Sequence, residues 1–482
     1  MSNDNKLKDK LIGGLFWKFG ERIIAQGVSF ILSLILARLL LPEQYGVISI
    51  VLVFINLANV LVTDGLGSSL IQKKDAGDVD FSTIFYCGLA TSVILYAIMF
   101  VAAPFIADFY DEPILTPVIR VLSVQILLSA VRTIQHSYVA KHMLFKKFFW
   151  STLGGTLISG IIGIIMAYNG FGVWALVQQY LTNNAVGIIV LFFTVPWRPK
   201  LKFSFASAKQ LYGYSWKLLC ASFISALYSD LRSMIIGKVY TKEDLAYNSK
   251  GAHFPSLIIT NVNASISTVL FPAMSQVNDD REALKQLSRK SMRMTTYVIF
   301  PMMLGMFVVA EPMINVLLTE KWLPCVPFLQ LSCLYWMFQP ILTANAQIMK
   351  ATGKSGTYLK LEIIKKIIGF ALVFATMYIS VYALVLSNVI FALISTIINI
   401  MPTKKLIGYG YREQIMDIIP NLLLSGIMAG VVYLVTFIGL PAFPTLVIQI
   451  ALGGVFYLLA SYLLKIDSFM FILKRIKKIL KK

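Results

Sequence analysis

Residues 13–40 read GGLFWKFGERIIAQGVSFILSLILARLL, and within this apolar run Lys18, Arg22, Gln26, Ser29 and Ser33 recur at helical spacing. At about 100° per residue they share one narrow sector, with Glu21 at its edge. An ammonium and a guanidinium on a common face are the groups that bind anions. Further polar faces recur along the chain. Gln125, Ser129, Arg132 and His136 follow at steps of 4, 3 and 4, and Ser49, Asn56 and Thr63 at steps of 7, with Asn59 beside them and Asp64 a turn from the end. Ser222, Ser225, Ser229 and Arg232 share a face that Lys217 borders, while Asp230 points elsewhere; Lys250, His253, Thr260 and Asn261 lie on one side of another segment. His136 shares its face with Arg132 and is the better proton carrier; His253 reads as a packing residue. Arg120 reads as an interfacial anchor, and Glu362, Lys365 and Lys366 as an i,i+3/i+4 ion-pair cluster.

The elements that must position these groups are membrane helices. The chain has 482 residues, 57% hydrophobic and 14% charged, with a net charge of +20, which excludes a soluble enzyme of this size. Runs long enough for about 30 Å of hydrocarbon predict an all-α polytopic membrane protein with fourteen transmembrane helices. They lie near 12–38, 46–71, 82–107, 114–140, 148–168, 172–195, 211–237, 246–272, 294–318, 325–349, 359–379, 382–402, 418–438 and 445–464. The eighth is interrupted by Lys250, His253, Pro255, Asn261 and Asn263. The first is too long for a cleavable signal peptide. Thirty of the 43 Lys and Arg fall on one side of the predicted membrane and four on the other, so both termini are expected to be cytoplasmic. Most of the charge is therefore positive-inside charge and implies no nucleic-acid partner.

Nine basic residues and five acids remain inside the spans. A Lys or Arg at a span centre costs at least about 2.5–3.5 kcal/mol, so the first stripe is expected to line a hydrated cavity. Snorkelling of Lys18, paired with Glu21, accounts for neither Gln26 nor the deeper serines. The net positive lining favours an anionic passenger. Cys87, Cys220, Cys325 and Cys333 have no paired or metal-ligand spacing, so no disulfide, metal or cofactor is expected.

An internal repeat organises the spans. FWKFGERIIAQGVSF…LARLLLPEQYG aligns with SWKLLCASFISALY…IIGKVYTKEDLA, pairing Trp17 with Trp216, Lys18 with Lys217, Arg38 with Lys238 and Glu43 with Glu243. Later pairs are Pro104/Pro312, Glu112/Glu320 and Lys141/Lys350. Two six-helix lobes in parallel orientation follow, 1–200 and 201–402, with 403–482 adding a two-helix hairpin and a tail. Rocking such lobes about a central cleft gives alternating access. The tail FMFILKRIKKILKK reads as an amphipathic helix on an anionic inner leaflet.

LFWKFGERI…LARLLLPEQYGVISI, DGLGSSLIQKKD, FPAMSQVNDDREALKQ and EPMINVLLTEKW together resemble the Wzx-type bacterial polysaccharide flippases, exporters of O-antigen, capsule and exopolysaccharide. These belong to the multidrug/oligosaccharidyl-lipid/polysaccharide (MOP) superfamily, with a MATE-like fold. The resemblance runs from about residue 8 to the fourteenth span. It implies a multi-pass protein of the bacterial inner membrane that moves an undecaprenyl-diphosphate-linked oligosaccharide across the bilayer, with membrane lipids around it. On that resemblance Lys18, Arg22, Arg132, Lys217, Arg232 and Lys250 would contact diphosphate or acidic sugar, and Gln26, Asn56, Gln125 and Ser129 the sugars. Coupling to H+ or Na+ would use Glu21, Asp64, His136 or Asp230. A monomer is expected, working with a polysaccharide polymerase and co-polymerase.

Competing readings are a MATE-like small-molecule exporter, a lipid II flippase, and a membrane enzyme of glycan assembly such as a polymerase or glycosyltransferase. The first favours an acidic cleft. The last needs a sizeable external loop or a cytoplasmic catalytic domain, and the sequence has neither, nor a nucleotide-binding P-loop.

Overall fold

The computed structural model describes residues 24–63, 67, 69–70, 73, 75–142, 144–277 and 280–480, and among them there are helices and turns but no strand. The first eight helices are α1 (Ile24–Leu39), α2 (Pro42–Thr63), α3 (Asp78–Tyr110), α4 (Leu115–Leu122), α5 (Val124–Lys141), α6 (Phe145–Tyr168), α7 (Val173–Thr194) and α8 (Phe205–Val239). They are followed by α9 (Lys242–Gln276), α10 (Arg281–Val308), α11 (Ala310–Leu318), α12 (Val326–Met337), α13 (Gln339–Ala351), α14 (Ser355–Thr376), α15 (Val381–Ile407), α16 (Tyr411–Leu434), α17 (Ala442–Leu463) and α18 (Asp467–Leu480).

Eleven stretches among the described residues are long and apolar enough to cross a membrane. The described part of the first predicted span, α1, is a shorter apolar helix. The eighth and eleventh predicted spans are also helical, as α9 and α14, the one carrying Lys250, His253 and Asn261 and the other Glu362, Lys365 and Lys366. Lys365 does pair with Glu362. Three predicted spans are broken rather than continuous. The breaks fall at Ser123, Val309 and Phe338. Two have a cause in proline, which lacks an N–H and is tolerated in a first helical turn: Pro312 and Pro340 each sit in the first turn of the helix that restarts. Nothing local explains the break at Ser123.

The chain divides into two compact units, Met1–Ala246 and Tyr247–Lys482. In the first, α6 and α7 pack closely because Gly155 has no side chain; a Cβ there would lie 2.8 Å from the Asn183 carbonyl oxygen. A buried cluster of Phe81, Ile84, Ile134, Leu191, Trp197 and Leu211 joins α3, α5, α7 and α8. The basic linker PWRPKLKFSFASAK is pinned to the start of α3. Lys200 N–H donates to Ser82 Oγ (3.0 Å), Ser204 N–H donates to Thr83 Oγ1 (3.1 Å), and the Lys200 ammonium pairs with Asp78 at 2.5 Å. Ser204 then caps α8 by accepting from Ser207 N–H.

The segments paired in the sequence repeat fold alike locally. α1 breaks at Leu40–Leu41 before α2, and α8 breaks at Tyr240–Thr241 before α9. At each break a side chain three residues on accepts a backbone N–H: Gln44 Oε1 from Leu41 (3.0 Å) and Asp244 Oδ2 from Thr241 (3.3 Å). The two breaks meet. Lys242 pairs with Glu43 (2.6 Å) and with Glu112, Lys238 pairs with Asp111 (3.0 Å), and Gly46 leaves room for the Lys242 carbonyl.

In the second unit α10 packs on α12, α13 and α16, and α17 packs on α11 and α16. Tyr297, Leu424, Met428, Val432, Leu446 and Tyr457 form its buried cluster. Tyr297 Oη donates to Ser461 Oγ (2.9 Å), and Tyr457 Oη donates to the Tyr297 carbonyl (2.7 Å). A polar seam of Gln414, Asp417, Asn421 and Ser425 is buried on α16. In both units large apolar side chains are exposed, among them Ile98 and Phe105 in the first and Ile448 and Leu459 in the second, which is the distribution expected of helices solvated by lipid.

Candidate functional site

Lys18, Glu21, Arg22 and Asp64 lie outside the described residues, and so does the side chain of Lys217 on α8. On α1, Gln26 and Ser29 are exposed, and Ser33 Oγ donates to the Phe30 carbonyl at 2.8 Å. Asn56 on α2 is exposed; Asn59, half-buried, keeps its Oδ1 buried without a hydrogen-bond partner.

The fourth-span face is where the described candidates gather. On α5, Ser129 Oγ donates to the Gln125 carbonyl (2.8 Å), while Gln125 Oε1 is buried without a partner. One turn on, the Arg132 guanidinium uses two of its edges. Its Nε donates to His136 Nε2 at 3.2 Å, and its Nη1 donates to Asn184 Oδ1 at 2.7 Å. Asn184 is buried on α7 and fixed in turn, since its Nδ2 donates to the Tyr180 carbonyl (3.2 Å). The His136 ring rests against Phe148 of α6, with centroids 4.5 Å apart. Acceptors on α5 and α7 thus orient the guanidinium, with α6 packed behind the histidine, and a guanidinium held in this way can bind an anion by charge-assisted hydrogen bonds.

Asn184 is the residue that sequence reasoning missed. The polar cluster Gln178, Gln179, Thr182, Asn183 and Asn184 within this span was the available signal. Arg232 is buried on α8 and Asp230 half-buried. Lys250 belongs to the second unit, on α9, where it is half-buried. His253, read as a packing residue, is exposed instead. Arg120 donates from Nε to the Phe100 carbonyl (3.3 Å) and lies over the Phe100 ring, as an anchor would. Among the described residues no group of His, Cys, Asp and Glu is placed to hold a metal.

A second polar centre, also missed, is Asp417. Its carboxylate accepts from Arg289 (2.8 and 2.9 Å), from Arg293 (2.6 and 2.8 Å) and from Tyr409 Oη (2.8 Å). Burial, then the hydrogen bond to Asp417 and the carboxylate's charge, hold the Tyr409 hydroxyl above the ordinary phenol pKa, so it remains a donor.

The family described as "Polysaccharide biosynthesis protein" matches residues 35–327, a stretch that contains the whole Arg132–His136–Asn184 cluster. The chain belongs to that family. It is 25% identical over 461 residues to the lipopolysaccharide biosynthesis protein WzxC of Escherichia coli, covering 93% of this chain and 88% of WzxC. It is 26% identical over 319 residues to the succinoglycan biosynthesis transport protein ExoT of Rhizobium meliloti, covering 66% of this chain and 64% of ExoT, less than two thirds of that relative. Among solved structures it is similar to the lipid II flippase MurJ in an inward closed conformation, with a TM-score of 0.74, 19% identity and coverage of 94% and 99%. An inward-facing multidrug resistance MATE transporter of the MOP superfamily aligns with a TM-score of 0.59 and 11% identity, over 81% of this chain and 98% of that one. The fold is the MurJ/MATE-like helical fold.

Proposed function

We propose that this chain is a flippase that moves an undecaprenyl-diphosphate-linked oligosaccharide across the bacterial cytoplasmic membrane by alternating access. The observation that carries the reading is a conjunction: a member of a polysaccharide biosynthesis family has a flippase's fold over 94% of its length. A transporter rather than an enzyme is what the names of ExoT, a transport protein, and MurJ, a flippase, support for this architecture.

On this reading the eleven apolar stretches, with α1, α9 and α14, make fourteen spans with both termini cytoplasmic. The lobes are 1–200 and 201–402, with 403–482 as hairpin and tail. Arg132 contacts the diphosphate or an acidic sugar, together with Lys18, Arg22, Lys217, Arg232 and Lys250. Gln26, Asn56, Gln125 and Ser129 contact the sugars. His136 suits proton coupling because its Nε2 accepts from Arg132; a proton there removes the lone pair and releases the guanidinium. Glu21, Asp64 and Asp230 are the other coupling candidates. The paired breaks at Lys242, Glu43 and Glu112 would form an outer closure that parts when the cargo leaves. The protein would act as a monomer beside a polysaccharide polymerase and co-polymerase.

A deletion strain should accumulate lipid-linked oligosaccharide on the inner leaflet, and the native gene should clear it. Arg132→Ala should leave the protein inserted at normal abundance and fail to clear it. Clearance by that variant removes Arg132 from the site; no accumulation on deletion sinks the flippase reading itself.

A further inference from the structure

A pocket of about 270 Å³ opens in the second unit where α10 meets the first turn of α18. Arg289, Lys290 and Arg293 form its basic wall, and Met294 and Phe471 supply apolar surface. Two carboxylates take up part of the charge. Asp417, almost fully buried, binds both guanidiniums, and Asp467 lies 3.3 Å from Arg293 Nη1. Arg289 spends only Nε and Nη2 on Asp417, which leaves its Nη1 edge as a donor. Lys290 is exposed, with its ammonium 3.9 Å from the centroid of the Phe471 ring. Among the described residues no carboxylate pairs with Lys290. Three cations against two anions leave the wall positive.

The location narrows the ligand. On the proposed topology α10 enters the membrane from this end, and α18 carries a basic sequence, LKRIKKIL, directly after Phe471 and Ile472. A positive pocket with apolar flooring at the foot of a membrane helix sits at headgroup depth, where a phosphodiester meets cations and its glycerol and acyl chains meet Met and Phe. We infer that the Arg289–Lys290–Arg293 pocket binds the headgroup of an anionic phospholipid of the inner leaflet and thereby docks α18 at the membrane surface. The leaflet assignment rests on the orientation proposed above; the binding itself does not require transport.

The full-length protein, purified in detergent, would be exposed to equal amounts of phosphatidylglycerol and phosphatidylcholine, and retained lipid counted by native mass spectrometry. Phosphatidylglycerol should be retained preferentially. Lys290→Gln, at an exposed position that leaves the Asp417 pairs intact, should cut that preference by about fivefold, the worth of one basic residue at an anionic surface. Lys465→Gln, an exposed charge outside the pocket, should leave it unchanged. Equal retention of the two lipids, or an unaltered preference in Lys290→Gln, overturns the inference. Equal loss in Lys465→Gln would mean diffuse surface attraction, and loss on adding millimolar inorganic phosphate would mean a free-phosphate site; either overturns it too. Export is not measured here, so failure leaves the flippase reading standing, and failure of that reading leaves the pocket to be judged on its lipids.

Discussion

Arg132 was legible from the sequence because a guanidinium in an apolar run must be accounted for; Asn184 was not, because a neutral amide in such a run has many uses and only the packing of α5 on α7 selects one. Their hydrogen bond supports two contrasting variants. Asn184→Ala removes the acceptor and should lower stability by about 1–3 kcal/mol, the cost of leaving a charged donor's partner unmade, read by thermal unfolding in detergent. Asn184→Asp should keep that stability, yet abolish export by neutralising Arg132. Asp417 makes the opposite use of charge, since its carboxylate is consumed by two arginines and a tyrosine. Asp417→Asn leaves both guanidiniums undercompensated. It should cost about 2–3 kcal/mol, less than a fully buried pair because the arginines reach solvent, measurable in the same melt. Position 417 lay one residue outside a predicted span, where a carboxylate excites no comment.

At the scale of elements, apolar runs and polar periodicity located the helices, and the structure has a helix at each of the fourteen predicted positions, with the first described only from Ile24. The interruptions were not legible. Pro312 and Pro340 restart helices, whereas Pro104, Pro301, Pro402 and Pro420 are carried inside them, and only tertiary contacts decide which. Close approach was equally hidden, because a glycine in a span looks the same whether it faces lipid or a neighbour. Gly155→Leu should push α7 off α6 and destabilise by about 1–3 kcal/mol or more. Because α7 also carries Asn184, export should fall further than melting temperature alone accounts for, as compared with a surface variant of equal stability loss.

For the whole molecule, the orientation proposed from the charge count predicts which helix ends face the cytoplasm. Cysteine introduced at Asp111, between α3 and α4, should react with an impermeant maleimide in intact cells. Cysteine introduced at Tyr411, the first residue of α16, should react only after permeabilisation. The reverse pattern would invert the topology and place the basic segments outside.

The linker before α8 bears on movement. Its backbone is held by Ser82 and Thr83, its lysine by Asp78, and its last residue caps the helix it leads into. A strap stapled at such close intervals has no slack to absorb displacement. Any swing of the foot of α8 is therefore handed to α3, and the two helices must travel as one lever.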